Sequence, residues 1–249
     1  MSIPKFKDKH LYDSMVNPAN AMSIINKKFK NLPKKYLFVY EKFALRYFLR
    51  KYKPKKLVLS GRMTIYLHKD IGFVRMEGIG APYTVGFMEN LIGLGGKVFL
   101  NIGFAGGLHK EGIILCKKSL RDEGTSHHYI PHGDYAHPDE ELTKKLANFL
   151  DKNKVEYSAG DSWTTDSYFR ETKEEVAKYS KEGIIAVEME SSALFTVGKF
   201  RNVKVASAFV VSDILRDKWE QKAEHYNVKG GLKKLVDLGI KFLGNNGVK

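Results

Sequence analysis

Two carboxylates, Glu188 and Glu190, flank the thioether Met189 in the run Ala186-Val-Glu-Met-Glu-Ser191. A third acid, Asp213, follows in Val210-Val-Ser-Asp-Ile214. Carboxylates offer several acceptor positions for sugar hydroxyls, and a protonated one can act as general acid toward a leaving base. The elements around them decide whether they can meet. Gly183 to Val187 is a short apolar, β-branched run that reads as a buried strand, and Ser191 to Phe200 reads as a helix. Val205 to Val211 is a second buried-strand run with Asp213 at its end. The acids thus stand where strands hand over to helices, where open α/β sheets place ligand sites. A plainer reading is also open: Glu188 and Glu190 can simply start a helix, since acids favour the positive end of its dipole.

Other segments point the same way. Gly78-Ile-Gly-Ala-Pro82 and Asn101-Ile-Gly-Phe-Ala-Gly-Gly-Leu108 are glycine-rich turns after strand-like runs, and such turns let backbone N–H groups approach a ligand. Together with Glu123-Gly-Thr-Ser-His-His-Tyr129, Thr164-Thr-Asp-Ser-Tyr168, Val187-Glu-Met-Glu-Ser191 and Ser212-Asp213, in that order, they resemble the nucleoside phosphorylase and nucleosidase family over roughly residues 57 to 245. The resemblance implies a homo-oligomer, a dimer or a hexamer built from dimers, that cleaves the N-glycosidic bond of a nucleoside. It implies that Ala105 and Gly106 line the nucleoside, Tyr168 stacks on the base, Glu188 and Met189 border the ribose, and Glu190 accepts from its 2′- and 3′-hydroxyls. Asp213 would protonate a purine near N7, which favours purine over uridine. His10 would reach the sugar 5′ end in a neighbouring subunit.

The pattern breaks at the phosphate. Phosphorylases of this kind hold it with an early Gly-Asp-Pro-x-Arg loop, an Arg opening the second glycine loop and a hydroxyl within it. Here Val39-Tyr-Glu-Lys-Phe-Ala-Leu-Arg46 replaces the early loop, Asn101 stands for the Arg and Phe104 for the hydroxyl. A dianion without guanidinium donors is poorly stabilised in a cleft. Gly80, Arg46, Asn101 and Phe104 are the candidate phosphate positions, with Arg62, Arg75 or an N-terminal lysine as substitutes. The leading expectation is phosphorolysis, with phosphate as cosubstrate and no cofactor or metal. The alternatives are hydrolysis, with Glu41 as a base for water, and a nucleoside-binding homologue without activity.

Composition bounds the rest. The 249 residues suffice for one large α/β domain, with no linker or repeat to divide it. No run approaches a membrane span and no signal-peptide core opens the chain, so a cytoplasmic protein is expected. A single cysteine, Cys116, excludes an internal disulfide and reads as a packed, inert thiol. Of the net charge of +14, residues 1–60 carry +12. Such an arm can attract anionic substrates or nucleic acid. The aromatic residues Tyr36, Phe38, Tyr40, Phe43, Tyr47 and Phe48 recur at near-helical spacing, which argues for a core-facing stripe and against base stacking. The expected fold is α/β, a mixed central sheet flanked by helices: a basic segment over 1–56, then a core over 57–249. A helix over 35–52 leads, with a short strand at 37–39. Strands follow near 57–60, 63–67, 71–76, 98–102, 113–120, 155–165, 184–189 and 203–211. Helices are expected over 83–94, 139–151 and 229–243.

Overall fold

The computed structural model describes residues 4–61, 63–216, 218–222, 225–245 and 247–248. Arg62, one substitute for the phosphate arginine, lies outside them. Eleven strands form one mixed sheet: β1 Lys35–Val39, β2 Lys55–Ser60, β3 Met63–His68, β4 Ile71–Arg75, β5 Val98–Gly107, β6 Ile113–Asp122, β7 Tyr135–Ala136, β8 Ser158–Thr165, β9 Ile184–Glu188, β10 Lys204–Leu215 and β11 Trp219–Gln221. The helices are α1 Pro18–Ala21, α2 Ser23–Lys28, α3 Lys42–Tyr52, α4 Ala81–Gly93, α5 Glu140–Lys152, α6 Lys173–Lys181, α7 Ser191–Arg201 and α8 Tyr226–Leu243. The mixed sheet flanked by helices is as expected.

The sheet is not simply open. β10 runs parallel to β5 along its whole length and also pairs with β6; β6 pairs with β8, β8 with β9, and β9 returns to β5 at Gly106–Val187. Five strands therefore close a ring. The first half of β5 pairs instead with β1, from which β4, β3 and β2 continue outward.

Two apolar layers sandwich this sheet. On one side Val85, Met88 and Leu91 of α4 meet Leu194, Phe195 and Val197 of α7. On the other, Phe48 of α3, Leu146 of α5, and Leu235 and Phe242 of α8 pack together. β1 feeds both: Tyr36 and Phe38 enter the first layer, Leu37 and Val39 the second. This corrects the helix expected over 35–52. Its first five residues are a strand buried on both faces, which reads as a continuous apolar run rather than an alternation. The helix begins only at Lys42, so the aromatic series belongs to two elements. β1 also lies inside the sheet, between β4 and β5, so residues 35–52 are part of the core rather than of a basic arm.

Helix starts follow local chemistry. Asp139 caps α5 by accepting from Leu142 N–H, and Thr172 and Glu175 form a reciprocal capping box on α6. The helix α6 was not foreseen.

Candidate active site

The closed ring brings the singled-out residues together. Gly106 sits opposite Val187 on one side and Asp213 on the other, beside a bulge between Val211 and Asp213. Thr164 pairs with Glu188, and α7 starts three residues later. The second glycine segment is therefore strand, not loop: β5 runs on to Gly107. A Cβ on Gly106 would collide with Leu215 Cδ1 and come within 3.0 Å of Val187 and 3.4 Å of Asp213 Oδ2. Glycine there leaves the floor of the site open.

Glu188 and Glu190 divide the work. Glu188 is 5% exposed and its carboxylate is fully occupied. Its Oε1 accepts from the hydroxyls of Ser119, Ser162 and Thr164, at 3.3, 3.1 and 2.5 Å. Its Oε2 accepts from the backbone N–H of Glu190 and Ser191, at 2.9 and 2.7 Å. Burial raises its pKa against these hydrogen bonds. The plainer reading holds for this residue: it opens α7 and does not present an oxygen to a ligand.

Glu190 differs. It is 6% exposed, and its Oε1 accepts from Gly80 N–H at 2.6 Å. Burial first, and then the Glu188 charge, push its pKa up to about 8. A neutral carboxyl in this position has one accepting oxygen, held by Gly80, and one O–H to donate. Met189 between them is half-buried.

At the end of β10, Asp213 Oδ1 accepts from Ser212 Oγ at 2.6 Å, and Oδ2 accepts from Trp219 Nε1 at 2.9 Å. Trp219 comes from β11, whose return pairs Leu215 with Trp219. Tyr168 is 49% exposed on a 3₁₀ turn after β8, its ring 4.1 Å from that of Phe169. A solvent-exposed aromatic pair of this kind offers a π face to a planar ligand.

The phosphate candidates do not converge. Gly80, with φ 95°, spends its N–H on Glu190. Asn101 is fully buried, accepting from Tyr40 O–H at 2.8 Å and reaching Ser207 Oγ at 3.4 Å. Phe104 points to the opposite layer, its ring 6.1 Å from Phe43 of α3. Arg46 lines a surface depression with Phe43, Leu49 and Lys233, on that same side. Arg75 donates to Glu77 at 2.9 Å and to the Met76 carbonyl at 3.3 Å. Tyr40 occupies the replaced early loop, and a Cβ on Gly103 would lie 3.1 Å from its ring. The physical reason is parity. Along β5, Asn101, Gly103 and Ala105 face one layer, and Ile102 and Phe104 the other.

His10 lies elsewhere in the chain. With Lys9, Glu89, His128, Tyr129 and Arg201 it lines a cleft of about 930 Å³ whose walls include neither Glu190 nor Asp213. Glu123 and Arg121 are scaffold: Glu123 accepts from Thr125 N–H, Ser126 N–H and Ser192 Oγ, and Arg121 donates to Ser126 and to the carbonyls of Pro131 and Gly133. Sequence reasoning missed the hydroxyl cradle of Ser119 and Ser162 and the Trp219 anchor. Among the described residues no His/Cys/Asp/Glu cluster could hold a metal ion.

Residues 40–243 match the family model described as the phosphorylase superfamily. The chain belongs to the phosphorylase superfamily. Among curated phosphorylase-superfamily relatives, a uridine phosphorylase of Treponema pallidum is 28% identical over 153 residues, 55% of this chain and 59% of that protein. A purine nucleoside phosphorylase of Plasmodium vivax is 30% identical over 152 residues, 58% and 62% of the two chains. The matches thus span about six tenths of these relatives. Among solved structures, AMP nucleosidase from Bacteroides thetaiotaomicron superposes with a TM-score of 0.74 at 18% identity, covering 92% of this chain and 96% of that one. Uridine phosphorylase from Vibrio fischeri gives 0.71 at 26%, covering 85% and 90%. No helix among the described residues is long and apolar enough to cross a membrane.

Proposed function

We propose that this chain cleaves the N-glycosidic bond of a purine nucleoside and that water takes the place of phosphate as acceptor. The observation that carries the second half is the filled anion site. Glu190 holds the Gly80 N–H, Tyr40 engages Asn101, and Phe104 and Arg46 belong to the other side of the sheet. A carboxyl group bound at a helix N-terminus excludes an anion from the same N–H. The nucleoside half rests on the convergence of Ala105, Gly106, Glu190 and Asp213 at one end of the closed ring. Glu190 would hold the ribose hydroxyls, Tyr168 would cover the base, and Glu41, which opens α3 beside Tyr40, would serve as base for water.

Phosphorolysis is the second reading, favoured by the likeness to the uridine phosphorylase of Treponema pallidum and the purine nucleoside phosphorylase of Plasmodium vivax. A subunit-shared site with His10 from a neighbour, and a cytoplasmic location, belong to either reading. A panel of purine and pyrimidine nucleosides, assayed with and without phosphate and followed by free base, tests both. Base release independent of phosphate, with reducing ribose as coproduct, is expected. Strict phosphate dependence with ribose 1-phosphate would overturn hydrolysis, and uridine as sole substrate would overturn the purine assignment.

A further inference from the structure

The cations of α3 are arranged against local electrostatics. Lys42, Arg46 and Arg50 stand four residues apart on one exposed face. Like charges at that spacing repel, and Lys42 opens the helix at the positive end of its dipole. Of the three, Arg50 alone sits in the last turn, where a cation is favoured. Their neighbour Lys51 pairs with Asp237 of α8, which also accepts from Tyr47 O–H at 2.7 Å and Tyr52 O–H at 2.8 Å. Asp237 is thereby spent. Among the described residues no acid pairs with Arg46, Arg50 or Lys233 of α8.

Those three cations converge. With Phe43 and Leu49 they line a depression of about 460 Å³, a size that suits a small molecule, and the lining holds no acid. Lys233 rests its ammonium 5.9 Å from the centre of the Tyr47 ring, so α8 adds a third charge to the α3 stripe. Phe43 backs onto Phe104 of β5, in the layer across the sheet from Ala105. The depression is therefore separate from the candidate active site.

We propose that Arg46, Arg50 and Lys233 form a second ligand site, which takes a small molecule carrying a diphosphate group. A guanidinium fork matches two phosphate oxygens at once, and the lysine adds a point charge. Four residues of helix set the two forks about 6 Å apart along the axis, which suits one fork for each of two adjacent phosphates. Phe43 and Leu49 supply an apolar floor for the group that the diphosphate is attached to.

Calorimetric titration of the full chain with inorganic pyrophosphate, orthophosphate and phenyl diphosphate tests this, since none of these carries a nucleoside. Pyrophosphate is expected to bind more tightly than orthophosphate and to weaken as salt rises, because exposed charges are screened. A tighter fit for phenyl diphosphate would support an ester as the ligand, and a weaker one inorganic pyrophosphate. Arg46→Gln combined with Arg50→Gln is expected to lose about tenfold or more in pyrophosphate affinity, the scale of a charged hydrogen bond. Its melting temperature should be no lower than that of wild type, because a repelling pair is removed, and pyrophosphate should raise the melting temperature of wild type alone. Arg46→Lys combined with Arg50→Lys keeps charge and stems without the forks, and is expected to bind more weakly than wild type. Undiminished affinity in either double variant overturns the proposal, as does orthophosphate binding equal to that of pyrophosphate. Binding of an oligouridylate RNA without binding of pyrophosphate would make this face a nucleic-acid surface instead, and no binding at all would leave it as solvated charge; each overturns it too.

Discussion

Two glutamates two residues apart illustrate how little a residue type says without its partners. Glu188 ties three strand hydroxyls to the start of α7, and its loss would strand two backbone N–H groups and those hydroxyls in the interior. Each such unsatisfied group costs about 1–3 kcal/mol. Glu188→Ala is therefore expected to lose about 3 kcal/mol or more in urea unfolding. A loss under about 1 kcal/mol would show the cradle to be energetically idle. Glu190 holds a single donor, and its proton affinity rises on folding to about 8. The sign is then fixed. Between the ordinary carboxyl range and about 8 the folded state binds a proton that the unfolded state has released, so stability from this group is full below that window and is lost as pH rises through it. Glu190→Gln keeps an acceptor for Gly80 without the charge. Its melting temperature relative to wild type is expected to climb from pH 5 to pH 9. A difference that stays flat with pH would place the Glu190 proton outside that window. For catalysis, Asp213→Asn is expected to remove most purine-nucleoside cleavage. A variant retaining more than roughly a tenth of the wild-type rate would deny the acid any part in base departure.

At the scale of elements, most strands and helices were legible because they are buried apolar runs or amphipathic turns with ordinary caps. β2, β3, β4, α4, α5 and α8 lie within a few residues of where the hydrophobic pattern puts them. The failures share a cause, which is tertiary pairing invisible to local pattern. Glycine-rich 103–107 looks like a loop, yet two neighbouring strands, β10 and β9, recruit it into β5. Aromatic 36–48 looks helical, yet its first half is a central strand. The placement of Glu190, Asp213, Ala105 and Gly106 around the ends of β9, β10 and β5 was legible from residue type at strand ends. Placement was illegible where it depends on which face a residue takes, as with Phe104 and Arg46, or on partners distant in sequence, as with Trp219 and Ser119. The β5 floor supplies a test. Gly106→Ala is expected to cost only about 1–3 kcal/mol, since the clash falls on the end of the Leu215 side chain. Base release should fall about 10²-fold, the scale of an ångström displacement at a reacting group. Activity loss that merely tracks melting temperature would show that Gly106 serves packing alone.

At the scale of the molecule, apolar side chains gather on the outside of the N-terminal segment. Leu11, Tyr12, Met15, Val16 and Ile24 are between 62% and 101% exposed. Solvent-facing apolar groups in such number mark an interface more often than a free surface. A homo-oligomer that buries them is expected, and light scattering of the full chain against a variant with Leu11, Met15 and Val16 changed to serine should show dissociation. A wild-type monomer of full activity would leave that surface unexplained and His10 without a neighbour's site to reach. Eighty residues of chain lie between Gly106 and its partner Val187. The candidate site is thus unlike a loop grafted onto a finished scaffold: the pairing of Gly106 with Val187 is the seam of the ring. A polypeptide still emerging from the ribosome has β5 but neither β9 nor β10, so on the proposed reading it holds no half-built pocket for a nucleoside. Slow exchange of the Gly106 and Val187 amides should therefore appear together with the first detectable ligand affinity, making binding itself a reporter that the seam has closed.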